Sequence, residues 1–227
     1  FESGPLAHTT TGGIRINAPC EASVPGLYAA GGVVGGLYGH ARPEGFTVMI
    51  TLVFGRRAGL FAAQGAKGVG DVRFDDSAIQ ASFDRVASVV DGLDDEGLEA
   101  LRSGISATMT KYAWVIKDEA GLTSGLKRIR EMANAELQRT KGPQVEASSV
   151  DGFAWTKILE VPNLLLCAEL MLMGAIERKD SRGAFFRADY PDADNEGWLK
   201  NIIHRRSNGQ TVMDTVSVDL RYCAPEV

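Results

Sequence analysis

The feature that most constrains this chain is a glycine-dense loop set between a short apolar stretch and a long helix. The segment reads V-P-G-L-Y-A-A-G-G-V-V-G-G-L-Y-G-H-A-R from Val24 to Arg42. F-T-V-M-I-T-L-V-F-G-R-R-A-G follows from Phe46 to Gly59. Pro25-Gly26 predicts a turn and Leu27 to Ala30 a short strand. The stretch to Gly45 predicts a loop in which glycine permits backbone approaches that a Cβ forbids. A helix is predicted from Phe46 or Thr47 to about Gln64, with Val48, Leu52, Val53 and Leu60 at helical spacing. Strand, glycine loop, helix start is an order with a physical use. It presents backbone N–H groups and the positive end of a helix dipole to an anion or an electron-rich ring.

An earlier block, A-H-T-T-T-G-G-I-R-I-N (Ala7 to Asn17), predicts a short strand from Gly13 to Asn17. After a linker at Gly65 to Asp71 the pattern turns helical. Asp75-Asp76-Ser77 caps a helix carrying Ile79, Phe83, Val86 and Val89-Val90. Leu93-Asp94-Asp95-Glu96 opens a second helix through Leu98, Leu101, Ile105, Met109 and Tyr112. Leu122 to Leu137 is a third. Phe153 to Arg178 is a fourth, apolar all round, and so is predicted to occupy the middle of a bundle, with Pro162 starting or kinking its main part. Met171 and Met173 are predicted core residues, and His204 an exposed one. Ser181 to Asn201 reads as irregular and charged, and Gln210 to Tyr222 as a strand.

Composition narrows the partners. The 227 residues carry a net charge of -5, which argues against a nucleic-acid partner. Cys20, Cys167 and Cys223 lie far apart, with no C-x-x-C pair. They read as reduced structural thiols of a cytoplasmic protein. An iron–sulfur cluster needs about four thiolates, so this chain alone does not hold one, and no other metal site is expected. No signal peptide is visible. The apolar run Val161 to Ile176 is shorter than the roughly 20 residues of a spanning helix and reads as a core helix. The chain opens with Phe1, inside a motif, and is expected to be the C-terminal portion of a longer polypeptide.

Three ordered blocks carry a resemblance to a known family. They are A-H-T-T-T-G-G-I-R; G-L-Y-A-A-G-G with Arg42 and V-F-G-R-R-A-G; and S-R-G-A-F-F-R-A-D-Y-P (Ser181 to Pro191) with D-N-E-G-W-L-K-N (Asp194 to Asn201). The chain resembles, over nearly its whole length, the flavoprotein subunits of succinate dehydrogenase and fumarate reductase, with their relative L-aspartate oxidase.

The resemblance implies an α+β fold. Residues 1–72 are the C-terminal piece of a Rossmann-like FAD-binding domain, 73–180 a helical bundle domain, and 181–227 an irregular tail with a terminal strand. It implies FAD as cofactor and a small carboxylate as substrate. His8 binds a substrate carboxylate or carbonyl oxygen, and Arg42 binds the other carboxylate with its planar fork. Thr47 and Val48 place backbone N–H groups near the flavin pyrimidine edge, and Gly31 and Gly32 allow close approach of the cofactor. Implied partners are a chain or segment carrying the N-terminal FAD-binding and capping domains, and an iron–sulfur subunit or quinone as electron acceptor. The implied location is cytoplasmic, peripheral at the cytoplasmic membrane face.

The departures from the family pattern concern the pocket. Gly32 stands where the family has the Glu that touches the FAD ribose. Y-G-H-A-R (Tyr38 to Arg42) replaces H-G-A-N-R, so Tyr38 and His40 are either pocket wall or plain packing. Phe-Thr-Val (Phe46 to Val48) replaces Asn-Ser-Leu, and D-S-R-G-A-F (Asp180 to Phe185) replaces E-S-R-G-A-H. These changes point away from fumarate or succinate as substrate. They leave two rivals: another flavin reaction on the scaffold, such as amino-acid oxidation or adenylylsulfate reduction, and a structural subunit that has lost the flavin. Arg182 and Arg187 are expected to pair with Asp180, Asp189 or Asp194 and hold the tail against the flavin domain.

Overall fold

A computed structural model describes residues 10–39, 45–70, 75–90, 95–139 and 152–221. Its elements follow one another as a single 3-10 turn (Gly31–Val33), α1 (Phe46–Ala66), α2 (Asp76–Val90), α3 (Asp95–Tyr112), β1 (Ile116–Lys117), α4 (Glu119–Arg139), α5 (Gly152–Glu177), β2 (Phe186–Arg187), α6 (Asn195–Trp198), β3 (Lys200–Ser207) and β4 (Gln210–Ser217). The architecture is mostly helical α+β.

The core lies where α3, α4 and α5 meet. Leu98 and Ile105 come from α3, Leu122 and Ile129 from α4, and Val161, Leu165, Ala168, Leu172 and Ala175 from α5. The α5 residues recur at steps of four and three, which keeps them on one helical face. Gly125 permits the close crossing of α3 and α4: a Cβ there would lie 2.8 Å from Tyr112 Cβ. The start of α2 is capped as expected. Asp75 Oδ1 accepts from Ser77 Oγ at 2.6 Å and from the Ser77 and Ala78 amides. The Ser77 hydroxyl bond is the main reason the Asp75 carboxyl titrates below its usual value.

Several expectations change. α5 is not buried all round: Leu164, Leu166 and Met171 are exposed, Met171 by 50%. Composition made the helix apolar on every side, but among the described residues packing encloses it only in part. Pro162 does not start the helix, which runs through it from Gly152. α1 and the Leu159–Glu177 part of α5 are each long and apolar enough to cross a membrane by length and composition, so the run is not too short on that criterion. The ion pairs of α5 favour the bundle: its Glu160 and Glu169 pair with Arg102 and Arg130, each at 2.8 Å.

The predicted strands at Gly13 to Asn17 and Leu27 to Ala30 reduce to isolated bridges, Ile14 with Val34 and Glu21 with Tyr28. A strand needs a neighbour along its length, and these meet one for a single residue each. β1, β2, α6 and β3 arise in segments that carry no regular pattern in the sequence. β1 and β2 pair in parallel (Ile116 with Phe186, Lys117 with Arg187), while β3 and β4 form an antiparallel hairpin turning at Asn208-Gly209.

The third sequence block ties the end of α5 to the start of α4. Arg187 is wholly buried and donates to the Ala175, Ile176 and Arg178 carbonyls, which satisfies the C-terminal end of α5. Its remaining N–H groups make a bidentate pair with Asp189 at 2.7 Å. Asp189 Oδ2 in turn accepts from the Glu119 amide at 2.9 Å, at the start of α4. Arg182 and Arg178 both reach buried Asp180. Their described contacts lie in the helical unit and the tail, not the flavin-domain segment as expected.

Candidate functional site

The glycine loop crosses the first block at a point where side chains are sterically excluded. Ile14 N donates to Val33 O at 2.8 Å, and Gly35 N donates to Ile14 O at 3.1 Å. A Cβ on Gly35 would lie 2.7 Å from Gly13 N, and one on Gly13 would collide with the Val33 carbonyl. Two glycines are therefore required for the blocks to touch. Sequence alone does not single out this pair; the only signal is a G-G in each block.

Beyond this crossing the backbone turns through left-handed residues. Gly31 has φ 78°, Gly36 84°, Gly39 60° and Gly45 76°, a region that disfavours any side chain. Gly31 is buried, beside Thr51 of α1, whose atoms would lie 3.8 Å from an added Cβ. Gly32 is exposed, with nothing within 4 Å of its Cβ position. The two predicted cofactor glycines thus differ: one packs against α1 and the other faces open space. Tyr38 is 5% exposed and belongs to the buried core of this segment.

α1 begins at Phe46, with Gly45 at its N-cap and no side chain capping it. Thr47 and Val48 lie in its first turn, as expected, and the Val48 side chain is exposed. Ile50 and Ala58 point inward, whereas Val48, Met49, Leu52, Val53 and Leu60 are exposed, Leu52 by 69%. The predicted apolar positions of α1 are therefore correct as helix and wrong as an inward face. Arg57 anchors α1 to the preceding segment by donating to Ala18 O at 2.7 Å. Cys20 is free and buried, its Sγ beside the Phe54 carbonyl. Cys167 is free and exposed. His8, His40 and Arg42 lie outside the described residues, as does Cys223.

A glycine at the N-cap of α1, an open position at Gly32 and left-handed glycines in the described loop are local features of the nucleotide-binding class, in which backbone N–H groups meet an anion or electron-rich group.

The comparisons with known proteins agree with that class. Residues 102–227 match the fumarate reductase flavoprotein C-terminal family, and residues 2–48 match an FAD-binding domain family. The chain belongs to the fumarate reductase and succinate dehydrogenase flavoprotein family, with L-aspartate oxidases among its relatives. It is 31% identical over 215 residues to one component of the CoM/CoB fumarate reductase of Methanothermobacter marburgensis, covering 91% of this chain and 36% of that one. It is 29% identical to L-aspartate oxidase 2-b of Nicotiana tabacum, covering 88% and 31%. In fold it matches E. coli quinol fumarate reductase FrdA with a TM-score of 0.83 at 24% identity, over 97% of this chain and 38% of that one. The chain thus spans about a third of the length of the curated relatives it matches.

Proposed function

We propose that this chain supplies the substrate-carboxylate side of an FAD-dependent oxidoreductase acting on a carbon–carbon bond next to a carboxylate. What carries the reading is the glycine path running into an uncapped α1 start, within a family of flavoproteins. Bound FAD would supply the hydride acceptor or donor. Gly31 and Gly32 allow it to approach, and the Thr47 and Val48 amides would favour negative charge at the adjoining ring edge. His8 and Arg42 hold and polarise the acid, which stabilises enolate-like charge as it develops. Tyr38, which is buried, and His40 are the residues that would reshape the pocket for an acid other than fumarate.

The remaining parts come from a segment or chain carrying the N-terminal FAD-binding and capping domains. The exposed apolar side of α1 supports this, because a row of that kind on a helix needs a neighbour. An iron–sulfur subunit or a quinone takes the electrons, and the assembly works in the cytoplasm, peripheral at the cytoplasmic membrane face.

The test is the visible spectrum of the protein isolated with its co-purifying chain. An oxidised-flavin band that bleaches with a carboxylic acid is the expected result. A stoichiometric partner without flavin would replace this reading with that of a structural subunit, which Gly32 at the ribose-contact position favours. Bleaching by an amino acid, or by sulfite with AMP and reversed by adenylylsulfate, would move the reaction to another branch of the scaffold.

A further inference from the structure

The β3–β4 hairpin has little holding it to the rest of the chain. None of its residues from Lys200 to Ser217 is fully buried, and an isolated two-stranded ribbon is marginal in water. Its base is tied by Arg178, which donates to the Lys200 carbonyl at 2.7 Å and the Trp198 carbonyl at 3.3 Å. Further along β3, His204 meets α5. Its Nε2 would lie 3.4 Å from a Cβ on Gly174, so the ring rests where the helix has no side chain. The Leu170 carbonyl, one turn earlier, is its hydrogen-bonding neighbour. Nδ1 is buried without a partner. The surface position expected for this histidine from sequence is therefore corrected.

A neutral imidazole tolerates such a seat: one nitrogen carries its hydrogen and the other a lone pair. An imidazolium does not, because it adds a charge and a second buried N–H with no acceptor. We propose that the β3–β4 hairpin is a low-pH-releasable arm, latched to α5 by neutral His204 seated on Gly174 and released when the ring gains a proton.

The charged groups around this contact leave the ring to its local environment. On α5 they are Glu169, Glu177 and Arg178; on β4, Asp214; on β3 itself, Lys200, Arg205 and Arg206. Glu169 is paired with Arg130, Arg178 with Asp180, and Asp214 with Arg205. Burial is the main influence on the ring and lowers its pKa; the Leu170 carbonyl opposes this more weakly. The released ring binds protons more readily than the docked one. Docking is therefore strongest above the free-histidine range near pH 6.5 and weakens as pH falls through it.

The test is amide hydrogen exchange on the chain as isolated with its partner, at about pH 7.5 and about pH 5.5, corrected for intrinsic rates. Protection across 200–217, read against α4 in the same molecule, is expected to fall severalfold at the lower pH, with a ceiling of about tenfold set by a released ring titrating near 6.5. His204→Gln keeps a donor for Leu170 but gains no proton, and is expected to remove the pH dependence. Equal protection at both pH values overturns the latch, as does a pH-dependent loss that persists in His204→Gln.

Discussion

Asp189 shows how one carboxylate can serve two helices at once. It neutralises buried Arg187, which closes the C-terminal end of α5, and it caps the start of α4 through the Glu119 amide. Both ends put the matching sign of charge against a helix dipole. The Arg187 hydrogen bonds are the main cause of its low pKa, down to about 2. An unfolded Asp titrates in the usual carboxylate range, so this contribution is complete above about pH 5 and is lost as pH falls toward 2. The carboxylate is 30% exposed, and solvent screens part of the interaction. Asp189→Asn is expected to lower unfolding free energy by about 1–3 kcal/mol at neutral pH. Urea melts at several pH values would show the gap to wild type closing as acid is added; a constant gap would contradict the ion-pair account. At the candidate site, Arg42→Ala is expected to reduce turnover of the flavin-loaded assembly by about a hundredfold or more, with the fold retained. Unchanged turnover would remove Arg42 from substrate binding.

At the scale of the helix, α5 is a two-sided element whose composition hides its orientation. Leu172 is wholly buried among α3 and α4 residues, while Leu166 is 47% exposed. Leu172→Ala is expected to cost about 2–5 kcal/mol, and Leu166→Ala within about 0.5 kcal/mol of nothing. Chemical denaturation of the two variants tests this, and similar losses would mean that α5 is enclosed on all sides. The α3–α4 crossing makes a sharper case. Gly125→Ala improves helix propensity by about 1 kcal/mol yet sets a methyl 2.8 Å from Tyr112 Cβ. Net destabilisation is the expected outcome, because backbone-proximal atoms on both sides have little room to yield.

For the whole molecule, the uneven feature is α1. It closes the glycine segment with Ile50 and Ala58 and leaves Leu52 and Val53 outward. Leu52→Asp is expected to weaken association with the chain or segment carrying the N-terminal FAD-binding half. The stability of the α3–α5 bundle should change by no more than about 0.5 kcal/mol. Co-purification of the variant with that partner, alongside a melt of the chain, separates the two effects. Undiminished association would assign the outward side of α1 to something else.

Sequence alone determined the elements whose causes are local. The periodicity of α1 to α5, the Asp75 cap and the glycine path into Phe46 were all legible, because helix hydrogen bonds, caps and left-handed turns are set within a few residues. The family blocks propose His8, Arg42, Gly31 and Gly32 as candidates without any knowledge of packing. Tertiary structure decided which side of each element has a neighbour. Leu52 and Met171 are as apolar as Ile50 and Leu172, and only packing separates outward from inward. It also decided the pairing of β1 with β2, the seat of His204 on Gly174 and the burial of Tyr38, contacts between residues far apart in the chain or set by packing. A strand such as K-N-I-I-H-R-R-S has no alternation to announce it, and it exists because β4 lies alongside. Burial is a property of pairs of surfaces, and one strand or helix carries only half of each pair.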